Sequence, residues 1–410
     1  MRKTLFTSLS PNLQKDDFFV AARLLFQPWK WKRGNAQIKL KKKIIKMFSA
    51  KGVYCFESGR TSLEKILRAG EIREGDEVLL QSYTCVAVPD SVIWNGARPV
   101  YVDVKDDFTM SPSDLENKIT GRSKAVIIQH TFGAPAEVES LMAIARKNNL
   151  LVIEDCAHAI GVTYKGQLVG TFGDAAIVSF GRDKVISSVF GGAAIIHSSK
   201  IDEKISELFL KTKTPSLYWI IRQLLHPILT FVVKLTYDFF SLGKFFMKML
   251  RVTKLLSFAV QPGEKRGERP SFHSQLMPNA LCELALHQLD KLEYLNDHRT
   301  ILSKIYENKL IQTKYILPKN EEGAIFLRYT IMCENRDEIL QKAKQQKILL
   351  GDWYTTVIAP YGVDYSSIYF NKKNTPNAKR FAEKSINLPT SINISDNDAG
   401  KICDFLLKQL

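Results

Sequence analysis

The sequence lacks an uncharged apolar run long enough to cross a membrane. In its most apolar region, the longest stretch without Lys, Arg, Asp or Glu is Gln223–Val233, whereas a transmembrane helix takes about 20 residues. The first twelve residues, MRKTLFTSLSPN, also lack the continuous hydrophobic segment of a signal peptide. Together these absences predict a chain that folds and works in the cytoplasm.

Paired cysteines are also missing. The six cysteines are scattered, with no CxxC pair and no metal-ligand spacing, and most lie inside apolar runs. A disulfide framework or a zinc site would need closer and more regular spacing. The sequence therefore predicts reduced thiols and no metal centre.

Acidic residues are scarce relative to basic ones. The 410 residues contain 58 Lys and Arg against 42 Asp and Glu, a net charge of +16. Such an excess favours an anionic partner, which can be nucleic acid, a membrane surface or a phosphorylated substrate. Because the excess is concentrated in two segments and no nucleic-acid-binding module is recognisable, we predict no nucleic-acid partner.

The first of these segments lies in residues 1–50, which we predict to be an irregular arm followed by a basic helix. Between Lys30 and Lys46 the chain has eight basic residues and no acidic one, interleaved with Trp31, Ile44 and Ile45. Two interpretations remain open for residues 28–48. They form either a solvated basic face with a packing stripe, or a contact with anionic lipid headgroups.

Residues 51–200 alternate between strand and helix patterns and are predicted to form the large domain. Such alternation is typical of an α/β fold with a mostly parallel sheet covered by helices on both faces. The strand candidates are Val53–Glu57, Glu77–Ser82, Pro99–Val104, Ala125–His130, Leu150–Ile153, Ala175–Phe180 and Ala193–His197.

Residues 201–270 interrupt this alternation with an apolar, basic insertion. Between 216 and 260 six basic residues (Arg222, Lys234, Lys244, Lys248, Arg251, Lys254) accompany a single acid, Asp238. Three interpretations compete: core or dimer-interface helices, a helix lying in a membrane interface, and a transmembrane span. Residues 271–410 are predicted to be a helical connection followed by a small C-terminal α+β domain. Ser395 and Asp398 predict the start of its last helix.

The stretch from 150 to 192 carries the candidate chemistry. In it, two buried strand candidates end at polar residues, Asp155 after the first and Lys184 after the second. Ligands of open α/β sheets bind at the carboxyl ends of such strands. A carboxylate and a lysine in one pocket suggest a Schiff-base cofactor. Ser179, and the strand-to-helix junction Ser58–Thr61, could bind the cofactor's phosphate through hydroxyl and backbone N–H groups.

Motifs that match those of a known protein family occur along nearly the whole chain. They are SGRTSLEKIL (58–67), GDEVLLQSYT (75–84), GARPVYVDV (96–104), ITGRSKAVIIQHTFG (119–133), IEDCAHAIGVTYKGQLVGTFGD (153–174), SFGRDK (179–184), GG (191–192) and TPNAKRFAEKSINLP (375–389). With them the chain resembles the DegT/DnrJ/EryC1/StrS nucleotide-sugar aminotransferases. The resemblance implies a PLP-dependent transferase of fold type I, with a seven-stranded, mostly parallel sheet.

The resemblance also implies roles for single residues. Lys184 would hold pyridoxal 5'-phosphate (PLP), Asp155 would face its pyridine nitrogen, and His158 would lie beside its ring hydroxyl. The phosphate site would be lined by Ser179, Gly59, Arg60 and Thr61.

The chain departs from the family pattern at the ring-stacking position, where Cys85 replaces an aromatic residue and Tyr83 is a possible substitute. Phe190 replaces the usual Glu before the double glycine, and Arg60 stands where a Thr is common. The usual Asn-x-Arg motif, which reaches the neighbouring subunit's phosphate, falls near Ser274 and Leu276.

We therefore predict an aminotransferase that moves an amino group, from L-glutamate, onto a keto-sugar nucleotide. The product would serve the synthesis of surface polysaccharide or lipopolysaccharide, and the enzyme would be a cytoplasmic homodimer. Peripheral contact with the inner face of the membrane could run through 28–48 and 216–260. Two alternatives stay open: an acceptor sugar linked to a lipid, and a non-catalytic regulatory or scaffold protein of the same fold.

Overall fold

A computed structural model describes residues 3–240, 242–253, 256–319 and 321–410. Among these residues, no helix combines the length and the apolar character that crossing a bilayer requires.

The secondary structure comprises short and long strands together with helices of 7 to 20 residues. The strands are β1 (Leu5–Phe6), β2 (Gly52–Phe56), β3 (Glu77–Gln81), β4 (Thr84–Cys85), β5 (Arg98–Val102), β6 (Ser123–Gln129), β7 (Leu151–Asp155), β8 (Thr163–Tyr164), β9 (Gln167–Leu168), β10 (Ala175–Ser179), β11 (Gly192–Ile196), β12 (Arg328–Met332), β13 (Ile348–Leu349), β14 (Ile358–Ala359) and β15 (Ser385–Pro389). The helices are α1 (Lys15–Leu25), α2 (Asn35–Phe48), α3 (Gly59–Ala69), α4 (Ala87–Ile93), α5 (Pro112–Lys118), α6 (Val138–Lys147), α7 (Ser199–Leu210), α8 (Leu217–Thr236), α9 (Leu242–Val252), α10 (Asn279–Leu289), α11 (Leu292–Leu310), α12 (Arg336–Gln345), α13 (Pro376–Lys384) and α14 (Asp396–Leu407).

A seven-stranded sheet forms the centre of the fold, in the order β2-β11-β10-β7-β6-β3-β5. All seven predicted strands are present, shifted by at most two residues at their ends, so the predicted fold class is confirmed. Only β11 runs antiparallel to its neighbours, β10 and β2. The strands are buried on both faces, which explains why they read in the sequence as continuous apolar runs.

Helices cover both faces of this sheet. On one face Leu63 and Ile66 of α3 and Ile205 of α7 join a cluster of buried side chains with the strands. On the other face Leu40 of α2 and Leu281 of α10 belong to a second buried cluster. With both faces covered, ligands can reach the sheet at the ends of its strands.

A smaller unit follows the long helix α11. Strands β12 and β15 pair antiparallel, and α11 and α14 pack beside them around one cluster of buried residues. Ser395 caps α14 by accepting the backbone N–H of Asp398, whose carboxylate in turn accepts the N–H of Ser395.

The N-terminal region is more ordered than predicted. The arm pairs β1 in parallel with β13 of the small unit and then forms α1 before the basic helix α2. The apolar stripe of α2 packs inward through Leu40, Ile44 and Phe48, and Trp31 is also buried, its indole donating a hydrogen bond to the carbonyl of Leu24. These contacts favour the packing interpretation of 28–48, because the apolar stripe of α2 lies in the core.

The insertion forms α8 and α9, and the two ends of α8 have different surroundings. Its first half buries Trp219, Ile220 and Leu224 in the cluster that contains α2 and α10. Near its other end, Leu235 is 67% exposed. The insertion is therefore part of the core at its start and projects apolar side chains outward further on.

This difference predicts unequal effects of truncating leucine in α8. Leu224→Ala should lower the free energy of unfolding by about 2–5 kcal/mol, because it leaves a cavity in the core. Leu235→Ala should change it by less than about 0.5 kcal/mol. Urea denaturation of the two variants measures this, and equal losses would contradict the described packing of α8.

Candidate functional site

The carboxyl ends of β7 and β10 form the floor of a pocket. Asp155 is the last residue of β7 and lies opposite Ile177 of the neighbouring strand β10. Its carboxylate accepts the backbone N–H of Ala157 at 2.9 Å, and in the described part of the chain no Lys, Arg or His forms a salt bridge with it. Burial raises the pKa of Asp155, which a cationic partner in the pocket would reverse.

Lys184 lies in the loop after β10, in the same pocket. Its Nζ is 2.8 Å from Nε2 of His158. Nδ1 of His158 accepts the backbone N–H of Phe132, so the proton of a neutral imidazole sits on Nε2 and points to the amine. Burial lowers the pKa of Lys184, and burial together with the positive charge of Lys184 lowers the pKa of His158 well below its usual value. The pair thus favours a neutral amine, which is the nucleophilic form.

Two residues outside the predicted site hold the lysine loop in place. Asn12 of the N-terminal arm donates through Nδ2 to the carbonyls of Lys184 and Val185, at 2.8 and 2.9 Å. Arg299 of α11 donates to the Val185 carbonyl at 2.7 Å and to Oδ1 of Asn12 at 3.0 Å. The position of the loop that carries Lys184 therefore depends on the N-terminal arm and on α11.

The start of α3 lies at the opposite end of the pocket. Ser58 caps this helix, and Ser58, Gly59 and Ser179 all line the pocket. A Cβ at Gly59 would lie 3.1 Å from that of Ser179, so the helix approaches β10 as closely as glycine allows. The free N–H groups of a helix N-terminus with a serine hydroxyl nearby make an anion site.

Thr61 does not line this pocket. Its hydroxyl donates to Oε1 of the buried Glu57 at 2.5 Å and lies 3.0 Å from Nδ1 of His273. The pocket lining includes the other predicted phosphate ligands but not Thr61. The Thr61 side chain therefore lies in a buried network with Glu57 and His273, and its role in the phosphate site stays a prediction.

Residues 256–264, which we call the strap, pass over the phosphate end. Ala259 and Val260 line the pocket. Arg60 forms an ion pair with the buried Glu264 and donates to the Ala259 carbonyl at 2.6 Å. Arg182 is bound to the carbonyl and hydroxyl of Ser257. The sequence analysis placed this segment in the apolar, basic insertion of residues 201–270, and it gave no signal of these long-range contacts.

Of the two residues considered for stacking on the cofactor ring, only one lies at the pocket. Cys85 lines the pocket, whereas Tyr83 is fully buried outside it, with its hydroxyl 2.7 Å from that of Ser385. Tyr83 therefore does not substitute for the missing aromatic. Trp353 and Tyr354 also line the pocket, and the amine of Lys184 is 5.6 Å from the centre of the Trp353 ring.

A second buried group beside β7 has a structural explanation. His130, Glu154 and Cys156 lie close together. The Glu154 carboxylate accepts three backbone N–H groups from residues 170–173 and lies 3.2 Å from Nε2 of His130. These bonds satisfy the carboxylate, which fixes the loop before β10.

The pocket thus brings together a half-buried lysine, a buried carboxylate and the N-terminus of a helix, at the strand ends of a sheet that is covered on both faces. The model of the DegT/DnrJ/EryC1/StrS aminotransferase family matches residues 13–219 and 248–407, and the chain belongs to this family. The predicted family is thus confirmed.

Curated relatives match mainly over parts of the chain. A GDP-perosamine synthase of Escherichia coli O157:H7 is 35% identical over 177 residues, covering 43% of this chain and 49% of the relative. A UDP-N-acetyl-3-dehydro-alpha-D-glucosamine 3-aminotransferase of Acidithiobacillus ferrooxidans is 42% identical over 161 residues, covering 39% and 43%. In these alignments the chain spans about half the length of the relatives.

Solved structures match over the whole chain. Helicobacter pylori PseC, an aminotransferase involved in the biosynthesis of pseudoaminic acid, superposes with a TM-score of 0.76 at 21% identity, covering 99% of both chains. A putative sugar aminotransferase of Streptococcus pneumoniae in its PLP form gives 0.74 at 20% identity, covering 100% and 99%. These similarities establish the fold.

The contacts of Asn12 predict that it stabilises the lysine loop. Asn12→Ala leaves two buried carbonyls with fewer hydrogen bonds and should lower the free energy of unfolding by about 1–3 kcal/mol. The exposed Asn397, changed to Ala, should have an effect below about 0.5 kcal/mol. Chemical denaturation of both variants checks this, and equal stability would show that the arm does not hold the loop.

Proposed function

We propose that this protein is a PLP-dependent aminotransferase that transfers an amino group from an amino acid, L-glutamate, to a keto-sugar nucleotide. The observation that carries the proposal is the pairing of Lys184 with His158 in the pocket whose floor holds Asp155. Family membership and the names of the relatives support the same conclusion.

The pocket residues fit the cofactor by their donor chemistry. The anion site of Ser58, Gly59 and Ser179 suits a phosphate group, and the amine of Lys184 suits an aldehyde. Asp155, which lacks an ionic partner among the described residues, suits a protonated pyridine nitrogen. The chemistry that PLP supplies when bound is an aldehyde that combines with amines and a ring that accepts the electrons of a broken C–H bond.

The side chains divide the remaining work. Lys184 would hold the cofactor through Nζ and, as a free amine, would take the proton from the donor's Cα. His158 keeps that amine neutral and oriented through Nε2. Asp155 stabilises positive charge at the floor of the pocket, and Trp353 excludes water above Lys184. The same groups act in reverse order on the keto-sugar.

Lys184→Ala should abolish covalent attachment of the cofactor and amino transfer. Wild-type protein incubated with PLP and reduced with borohydride should carry the cofactor's mass on the Lys184 peptide. The exposed lysine variant Lys211→Ala should be labelled like the wild type. Wild-type protein that gains no label at Lys184 would refute the enzyme proposal and favour a non-catalytic role.

A second candidate acceptor is a keto-sugar linked to a lipid through a diphosphate. A cavity of about 830 Å³, within the usual size of ligand sites, shares Arg182, Asp183 and Ala259 with the catalytic pocket. Phe6, Tyr237 and Met247 supply apolar walls. Such a cavity suits an acceptor that extends beyond its sugar, whether the extension is a nucleoside or a lipid.

Arg182 lies where the two cavities meet and is the cation that we assign to the acceptor's diphosphate. It is half-buried, its Nε has no hydrogen-bond partner among the described residues, and loss of contact with water lowers its pKa to about 10. Arg182→Lys should raise the KM for the acceptor by about tenfold, because a lysine cannot form the forked bonds of a guanidinium.

The kinetic measurement needs a donor comparison and a control. The KM for glutamate should stay within about twofold in Arg182→Lys, and the exposed variant Arg73→Gln should leave both constants unchanged. Nucleotide-linked and lipid-linked keto-sugars, assayed side by side with isotopically labelled glutamate, distinguish the two acceptors. If the KM for the acceptor that reacts is unchanged in Arg182→Lys, Arg182 does not bind that acceptor.

We further propose that the enzyme works as a cytoplasmic homodimer in the synthesis of surface polysaccharide or lipopolysaccharide. Support comes from the resemblance to the family, in which active sites lie between subunits. Light scattering of the purified protein tests the dimer.

A further inference from the structure

Helix α9 has apolar residues on two opposite sides. Leu242, Phe245, Met249 and Val252 are spaced by three, four and three residues, so they form one stripe along the helix. Their side chains are 49%, 69%, 43% and 74% exposed. A core helix would bury such a stripe, and this one faces away from the protein.

The other side of α9 fixes the helix to the fold. Leu250 is buried, and Met247 lines the second cavity. At Gly243 a Cβ would lie 2.5 Å from the carbonyl oxygen of Val233, so α9 is packed closely against α8. The exposed stripe therefore cannot turn inward without breaking these contacts.

The exposed stripe continues beyond the helix. Leu235 at the end of α8, together with Phe239 and Phe240 in the following turn, is also more than half exposed. Large contiguous apolar patches are rare on soluble proteins and mark surfaces that bind another body. We call this set, with the stripe of α9, the α9 face.

Positive charge borders the α9 face. Lys244 and Lys248 are exposed on one flank of the helix, and the chain has no acidic residue between Asp238 and Glu264. The side chain of Arg251 and all of Lys254 lie outside the described residues. An apolar stripe flanked by lysines matches a helix that lies in the headgroup region of an anionic membrane.

The charge also distinguishes lipid from a second copy of the chain. A two-fold interface would place the same patch on itself, bringing the lysines of both copies together with no acid of the α9 face to neutralise them. Anionic headgroups would neutralise them instead.

We propose that the α9 face docks on the surface of an anionic lipid bilayer, with α9 lying in the interface. This inference is independent of the aminotransferase chemistry. Because the strap begins at residue 256, just after α9, docking would place the second cavity and the strap at the membrane surface. An acceptor held by lipid could then reach the pocket without crossing bulk water.

Vesicle sedimentation of the full-length protein tests the proposal. Wild-type protein should sediment with phosphatidylcholine vesicles containing phosphatidylglycerol at low salt, and at least about tenfold less with pure phosphatidylcholine. Rising salt should weaken binding, since it screens exposed charges. The double variant Phe245→Ser/Met249→Ser and the double variant Lys244→Glu/Lys248→Glu should each lose at least about tenfold in binding.

Matched controls use exposed residues elsewhere. Leu210→Ser changes an exposed apolar side chain at the end of α7, and Lys211→Glu changes an exposed basic one. Both variants should bind vesicles like the wild type. Thermal unfolding of all variants should be unchanged, because every altered side chain is exposed. If the charge variant keeps its fold, a loss of vesicle binding reports the loss of the contact between its altered lysines and the lipid.

Two outcomes would overturn the proposal. One is wild-type protein that does not sediment with the anionic vesicles, or that sediments equally well when the α9 face is altered. The other is light scattering that shows Phe245→Ser/Met249→Ser turning a dimer into a monomer while vesicle binding is absent. In that case the α9 face would be an interface between copies of this chain.

Discussion

The rest of the site is arranged around the hydrogen bond between Lys184 and His158. An amine stays neutral near neutral pH when it is shielded from water and from excess negative charge. The pocket lowers the pKa of Lys184 by shielding it from water between the strand ends, the strap and Trp353, and it places a neutral imidazole beside the amine. His158 itself is held between the rings of Phe132 and Trp353.

Burying these groups requires support from distant parts of the chain. The loop that carries Lys184 contains carbonyls that would lose hydrogen bonds to water, and Asn12 and Arg299 replace them. Ser10 of the same arm donates its backbone N–H to Asp183. The arm also joins the small unit through β1 and β13. The large and small units are thus connected through the segment that positions the loop of Lys184.

Helices α8 and α9 of the insertion present three surfaces to different surroundings. The start of α8 packs in the core, the inner side of α9 bounds the second cavity, and the α9 face points outward. The start of α8 agrees with the interpretation of 216–260 as core helices. The α9 face is the feature on which the membrane-interface proposal rests. For a transmembrane span, no described helix is long and apolar enough.

The sequence by itself determined the seven central strands, since each is a short apolar run buried on both faces and bounded by polar residues. It also determined the positions of Asp155 and Lys184, because strand ends and motif spacing are local properties. Only the tertiary structure decided what lies around them. Thr61 turned away from the pocket, Tyr83 was buried elsewhere, and Asn12, Arg299 and the strap arrived from more than 70 residues away. Such contacts depend on how units of the chain pack together, and that packing leaves no periodic pattern in the residues that make it.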